Sequence, residues 1–159
     1  MMCHVPERSA GVLLWRRRDA VIQVLLGHMG GPLWSKKDSA AWSIPKGLYD
    51  DSEEPLAAAL REFTEELGVP LPVSPRELVS LGELRLPSGK WLTVWTAEAE
   101  LDPATIVLGT FTMEWPPRSG RQAEFPEIDR AEWFDLATAE DKIARGQRPF
   151  LERLAQLAT

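Results

Sequence analysis

Three glutamates, Glu62, Glu65 and Glu66, stand at i, i+3 and i+4, the spacing that gathers side chains on one patch of a helix. Like charges so placed repel by roughly 0.2–0.5 kcal/mol per pair. No lysine sits on the patch to relieve them, and they crowd the C-terminal half of the predicted helix, where its dipole disfavours negative charge. A divalent cation bound among them reverses both costs. Carboxylate oxygens with no cysteine or histidine near by suit a hard ion, Mg²⁺ or Mn²⁺, rather than zinc. Ca²⁺ fits the same donors, although no EF-hand pattern is present. A magnesium site of this kind keeps positions open for water and substrate phosphates, so the expected chemistry is metal-dependent work on a phosphate group.

The charge of the whole chain sharpens this. Its 159 residues carry 24 acidic and 18 basic groups, a formal −6. Between Lys46 and Gly68, Asp50, Asp51, Glu53, Glu54, Glu62, Glu65 and Glu66 face only Lys46 and Arg61, a net −5, which leaves −1 for all the other residues. An anionic polyphosphate approaches such a window only with cations in between. The nearly neutral remainder, without a long basic stripe, argues against a long nucleic acid as partner. With 44% hydrophobic and 26% charged residues, the composition is that of a folded globular protein. The length fits one domain over 1–159, and no repeat or linker divides it. The apolar stretches Gly11–Trp15 and Ala20–Gly27 are too short to cross a bilayer. The N-terminus lacks a secretory pattern, and the lone Cys3 allows no internal disulfide. A cytoplasmic location is expected; oligomeric state is left open.

Around the glutamates, Pro55 suits the first turn of a helix, and Leu56, Leu60, Phe63 and Leu67 repeat along one face largely opposite the acidic patch. Gly68 is placed to end it in the left-handed conformation, and Pro70 prevents resumption. Upstream, Ser9–Trp15 and Val21–His28 read as a hairpin across a polar turn at Arg16–Ala20, whose three arginines are expected to be solvated. Gly27–Ala41 reads as a loop, Trp42–Ile44 as a short extended piece and Gly47 as a turn residue. Downstream, Val79–Leu86 and Trp91–Glu98 form a hairpin. Ile106–Trp115 is strand or loop, Pro116–Pro126 a polar connection and Glu132–Leu136 a short strand. Thr138–Ala144 and a segment from Pro149 are helices.

The stretch Gly47-LYDDS-Glu53-EPLAAAL-Arg61-Glu62-Phe63-Thr64-Glu65-Glu66-Leu67-Gly68-Val69 resembles the Nudix box: Gly, five residues, Glu, seven residues, Arg-Glu, an apolar residue, any residue, Glu-Glu, any residue, Gly, an apolar residue. Nine constrained positions across 23 residues all match without a gap. The resemblance implies an α/β/α sandwich with a mixed β-sheet, the box forming a loop–helix–loop. It implies metal ligation by Glu62, Glu65, Glu66 and the Gly47 carbonyl. Water activation falls to Glu62 or another carboxylate, since the base varies within the family, and Arg61 with Glu53 forms a structural pair that pins the loop to the helix.

The flanks refine this. Trp42-Ser43-Ile44-Pro45-Lys46-Gly47 is similar to the W-x-x-P-K-G lead-in of Nudix hydrolases of diadenosine polyphosphates, also found in mRNA-decapping relatives. Lys46 is then expected at the mouth of the site as a charge for phosphate. Diadenosine tetraphosphate hydrolases of the family carry a further catalytic carboxylate at a spacing like that of Glu127, six residues before Trp133. Glu124 and Glu114 compete for that role. Of the aromatic residues, Trp34, Trp42 and Tyr49 lie in or beside loops near the box and are candidates to stack on a nucleobase, whereas Trp15, Trp91, Trp95 and Trp133 fall in strands and are assigned to packing. His28 and His4 read as surface or strand-end residues. The expected activity is hydrolysis of a pyrophosphate bond in a nucleoside diphosphate linked to another moiety, dinucleoside polyphosphates first. The alternatives are a nucleoside triphosphate pyrophosphatase, an RNA 5′-pyrophosphohydrolase, or a non-catalytic Nudix domain that senses a nucleotide.

Overall fold

The computed structural model describes residues 6–158; Cys3 and His4 lie outside the described residues. Strands β1 (Arg8–Arg18) and β2 (Val21–Met29) form the expected hairpin. They turn at Asp19 and Ala20, both at positive φ of 51° and 65°, a backbone whose twist matches that of the strands it joins. The turn is shorter than the sequence suggested. Arg16, Arg17 and Arg18 continue β1 and pair with Gln23, Ile22 and Val21, and Arg16 and Arg18 reach Glu100 at 3.1 and 3.0 Å.

The remaining strands are β3 (Trp42–Ser43), β4 (Lys46–Tyr49), β5 (Val79–Arg85), β6 (Trp91–Glu98), β7 (Thr110–Glu114), β8 (Gln122–Pro126) and β9 (Ile128–Asp135). The main sheet runs β3-β2-β1-β6-β5, with β4 on β1 and β9 on β2; β1 and β6 are parallel, and the other pairs are antiparallel. One edge of β1 changes partner along its length. Arg8–Gly11 pair with β4 and Trp15–Arg18 with β2, and between them Val12 N–H donates to the Pro45 carbonyl at 3.2 Å. Gly47 is therefore a strand residue, opposite Ala10, and the split in the sheet opens beside it. β7 and β8 form a separate two-stranded sheet: β7 settles Ile106–Trp115, read as strand or loop, in part as strand, whereas β8 lies where the sequence suggested a polar connection, its Gln122 and Glu124 alternating with Ala123 and Phe125, which masks the strand signal in a plain count of polarity.

Alternation along the strands builds two cores. Val12 and Leu14 pack with Leu25 against α1 (Pro55–Leu67), whereas Leu13, Val24 and Leu26 pack against α2 (Leu136–Lys142) and α3 (Arg148–Ala158). The result is an α/β/α sandwich with a mixed sheet. In α1 the fully buried residues are Ala58, Ala59, Phe63 and Leu67, with Leu56 and Leu60 half-buried. The buried arc is thus rotated toward the two alanines, whose small side chains let the helix lie close to the sheet. Glu62 stands one turn beyond Ala58 and Ala59, and Glu66 one turn further. Both border the buried arc instead of opposing it; only Glu65 faces outward. Gly68 ends the helix at φ 67°, its N–H donating to the Thr64 carbonyl at 2.8 Å, as its position implied.

Candidate active site

The loop and helix that carry the acidic residues are tied together by one guanidinium. Arg61 Nε and Nη2 grip both oxygens of Glu53 at 2.7 and 2.8 Å, Nη1 donates to Glu62 at 2.8 Å and Glu65 at 2.9 Å, and Nη2 reaches the Leu48 carbonyl at 3.2 Å. The Arg61–Glu53 pair expected from the sequence is therefore part of a larger clamp. It also relieves the repulsion on the helix patch, because a guanidinium one residue before Glu62 and four before Glu65 reaches both. The clamp holds the Arg61 pKa above its ordinary value, with the Glu53 hydrogen bonds the largest cause.

Glu66 lies outside the clamp. Its carboxylate accepts the backbone N–H of Lys46 at 3.2 Å, a bond that docks the start of β4 on the helix. Burial pushes the Glu66 pKa up to about 8; the Lys46 ammonium and backbone N–H oppose this, and the charges of Glu127 and Glu62 add to it. Glu62 is raised as well, by burial first, with Glu65 and Glu127 contributing against Arg61. Lys46 is half-buried, and that burial lowers its pKa despite the neighbouring Glu66 and Glu62. A Cβ on Gly47 would overlap the Glu62 carboxyl group, so any side chain here would displace that carboxylate from its present position.

Glu127 enters from the other side of the split. It joins β8 to β9, and its backbone is held at both ends: its N–H donates to Gly109 at 3.0 Å, and its carbonyl accepts the Gly30 N–H at 2.9 Å. Its charge is felt by both Glu62 and Glu66. Glu124 and Glu114 lie instead on β8 and β7, opposite Thr112 and Gln122, and both are exposed. Glu62, Glu66, Lys46 and Gly47 thus come together, with Glu65 and Glu53 held alongside by Arg61 and the exposed Glu127 acting on Glu62 and Glu66 through its charge. Among the described residues, no group of three or more His, Cys, Asp or Glu side chains is drawn up as a ready metal cage: Glu62 and Glu65 are turned toward Arg61 and Glu66 toward a backbone N–H. The donors are hard oxygens, and the raised pKa values of Glu66 and Glu62 report a surplus of buried negative charge that a divalent cation would compensate. The residues fit such an ion.

A pH dependence follows. Unfolded, Glu66 releases its proton near the ordinary 4.5; in the metal-free fold it keeps it to about 8. The folded state binds more protons across that window, so this contribution to stability is fully present below 4.5 and is lost as pH rises through 8. A cation must displace the same proton. The rise in melting temperature on adding Mg²⁺ is expected to be larger near about pH 9 than near about pH 6, as a thermal-shift titration reads; an equal rise at both would contradict the assignment.

The aromatic candidates separate. Trp42 is 1% exposed, its ring edge-on to His28 and Phe134 at 5.0 and 4.8 Å with the Arg130 guanidinium 5.0 Å from its centroid. It is a core residue and offers no face to a base. Tyr49 packs on the α1-side core, with Arg8 5.1 Å from its ring centroid. Trp34 is half-buried and lines an open cleft. His28, read as a surface or strand-end residue, sits one residue from the end of β2 and is fully buried. Its Nδ1 meets the Asp129 carboxylate at 2.9 Å, and its Nε2–H donates to the Lys37 carbonyl at 2.7 Å. Strand pairing between β2 and β9 brings Asp129 to it, which no local spacing reveals. Gln147 escaped the sequence reading too: its buried amide accepts from Ile44 N–H at 2.9 Å and donates to Ser43 at 3.0 Å, fixing the chain that leads into Lys46 and Gly47.

A mixed sheet between helices, with an acidic helix facing a split in that sheet, is the architecture of a Nudix-fold protein. The chain belongs to the Nudix family: the family model described as NUDIX domain matches residues 5–154. A nucleoside triphosphate pyrophosphatase/Nudix hydrolase fusion protein of Bifidobacterium longum is 33% identical over 86 residues, 52% of this chain and 16% of that protein. An RNA pyrophosphohydrolase of Agrobacterium fabrum is 27% identical over 125 residues, 71% of this chain and 68% of that protein. The match thus spans a small part of the first relative and about two thirds of the second. Among solved structures, the NUDIX domain of Shewanella oneidensis NrtR complexed with ADP ribose aligns with a TM-score of 0.67 and 17% identity, over 99% of this chain and 91% of that one. A binary complex of the C. elegans Ap4A hydrolase aligns with a TM-score of 0.64 and 22% identity, over 96% and 97%. Among the described residues, no helix is long and apolar enough to cross a membrane.

Proposed function

We propose that the chain is a divalent-cation-dependent hydrolase of a pyrophosphate bond in a nucleoside diphosphate linked to another moiety, with dinucleoside polyphosphates such as diadenosine tetraphosphate as the preferred subclass. The observation that carries this reading is the convergence of Glu62 and Glu66 on Gly47 and Lys46 at the split in the sheet, with the charge of Glu127 acting on both carboxylates. In this reading Glu62, Glu65, Glu66 and the Gly47 carbonyl hold Mg²⁺ or Mn²⁺, which supplies neutralising charge for the phosphates and an acidified water. Arg61 and Glu53 position the ligands, Lys46 offsets charge beside Glu66, and Glu127, rigidly seated by its backbone, is the further ligand or base.

The likeness to the RNA pyrophosphohydrolase of Agrobacterium fabrum favours a second reading, removal of pyrophosphate from a triphosphorylated RNA 5′ end. One screen with Mg²⁺ or Mn²⁺ decides, with products identified by mass: diadenosine tetraphosphate, a sugar nucleotide, a nucleoside triphosphate and a short 5′-triphosphorylated RNA. Cleavage of the dinucleotide with the highest kcat/KM is the expected result. Preference for the RNA or for triphosphates alone overturns the subclass. Tight nucleotide binding without hydrolysis overturns the enzyme reading in favour of a sensor.

A further inference from the structure

Beside Glu127 lies a cleft of about 240 Å³ lined by Gly30, Gly31, Pro32, Leu33, Trp34, Phe111 and Met113. Resting on the reading of the chain as a nucleotide pyrophosphohydrolase, we propose that this cleft seats one nucleobase of the substrate, between Trp34 and the Phe111/Met113 face of the β7–β8 hairpin.

Four features support it. The lining carries no charged side chain, whereas the neighbouring carboxylate cluster is intensely charged. A nucleotide has the same division, a neutral flat ring joined to anionic phosphates. The volume is below the roughly 300–1,000 Å³ of sites that enclose a whole small molecule, which suits a single ring system. Phe111 and Met113, two residues apart on β7, project from one face of the hairpin, and Leu33 at the rim is 61% exposed, an apolar surface left for a ligand to cover. Finally, the cleft and the site are one piece: the Gly30 N–H donates to the Glu127 carbonyl at 2.9 Å.

The walls are held in place. The Trp34 N–H donates to the Gly31 carbonyl at 3.2 Å and the Lys37 N–H to the Trp34 carbonyl at 2.9 Å. The buried His28 holds the Lys37 carbonyl in turn, and the Lys37 ammonium lies 5.0 Å from the Trp34 ring centroid. Gly31 adopts φ 90°, and a Cβ there would come within 3.0 Å of the Phe111 ring, so a side chain at this position would narrow the entrance. Apart from the Trp34 indole N–H, the lining carries no polar side-chain group, so the cleft selects a flat ring with little reading of the base edge; GMP should bind within a few-fold of AMP.

Calorimetric titration with AMP and with ribose 5-phosphate, both in Mg²⁺, isolates the base. In the unmodified protein AMP is expected to bind about tenfold or more tighter than ribose 5-phosphate, the scale of one base–aromatic stack. Phe111→Ala, which empties one wall, and Met113→Trp, which fills the space, should both bring AMP down to the ribose 5-phosphate level while leaving ribose 5-phosphate unchanged. Equal binding of the two probes by the unmodified protein, or AMP binding untouched in both variants, overturns the inference. The two readings fail separately: absence of hydrolysis by the unmodified protein defeats the proposed activity, whereas hydrolysis with base binding insensitive to both variants defeats the cleft alone.

Discussion

Glu66→Gln is expected to abolish the proposed hydrolysis while leaving the fold as stable as before or more so. Burial has already raised the pKa of this carboxyl to about 8, so near neutral pH the metal-free protein holds it largely protonated, and a neutral amide of the same shape replaces it at little cost. Gln also keeps an oxygen to accept the Lys46 N–H that Glu66 binds at 3.2 Å. What it cannot supply is the negative charge a cation requires. The loss in kcat/KM should exceed the roughly 10–100-fold that removal of an outer-shell partner of a metal site costs, and the Mg²⁺-dependent rise in melting temperature should shrink with it. Circular dichroism and thermal melts separate this outcome from unfolding. A variant with full activity, or with an undiminished Mg²⁺ response, would remove Glu66 from the metal assignment.

Arg61→Lys is expected to cost about 10–100-fold in activity together with several degrees of melting temperature. The guanidinium serves Glu53 through two parallel bonds, Glu62 and Glu65 through a third nitrogen, and the Leu48 carbonyl besides. An ammonium is a point charge on a flexible stem and cannot reproduce a planar fork. Lysine would keep the net charge but release at least one carboxylate, restoring the i, i+3 repulsion between Glu62 and Glu65. It would also free the Leu48–Glu54 loop from α1. Hydrogen exchange should report faster opening of that loop, and activity measurements a weaker apparent Mg²⁺ affinity. Unchanged activity and unchanged exchange would show that the Coulomb charge alone, and not the clamp, is what the site needs.

The sequence by itself determined the parts whose physics is local. Helix α1 spans Pro55–Leu67, as the proline, the apolar spacing and Gly68 required, because caps and periodicity act within one turn of chain. The gapless match from Gly47 to Val69 fixed the family, which the match over residues 5–154 bears out, and with it the sandwich and its mixed sheet. Partition of the charge located the acidic window for the same reason: it is a property of composition along a short segment.

Only the tertiary structure decided what long-range packing sets. Rotation of the buried arc toward Ala58 and Ala59 put Glu62 and Glu66 at its border and left Glu65 outside, a choice made by the sheet beneath the helix. Trp42 reads as a loop-side residue and His28 as a surface or strand-end one in sequence, yet β2, β3 and β9 enclose both, since burial depends on which strands pair across the fold. Glu127 is set where its charge acts on Glu62 and Glu66 because the Gly30 and Gly109 backbones hold its own backbone from two different loops, whereas Glu124 and Glu114, equally acidic in sequence, lie on the β7–β8 hairpin and exert no such effect on those two carboxylates. Residue types and spacing set which groups can do the chemistry; the split of β1 between β4 and β2 set which of them meet.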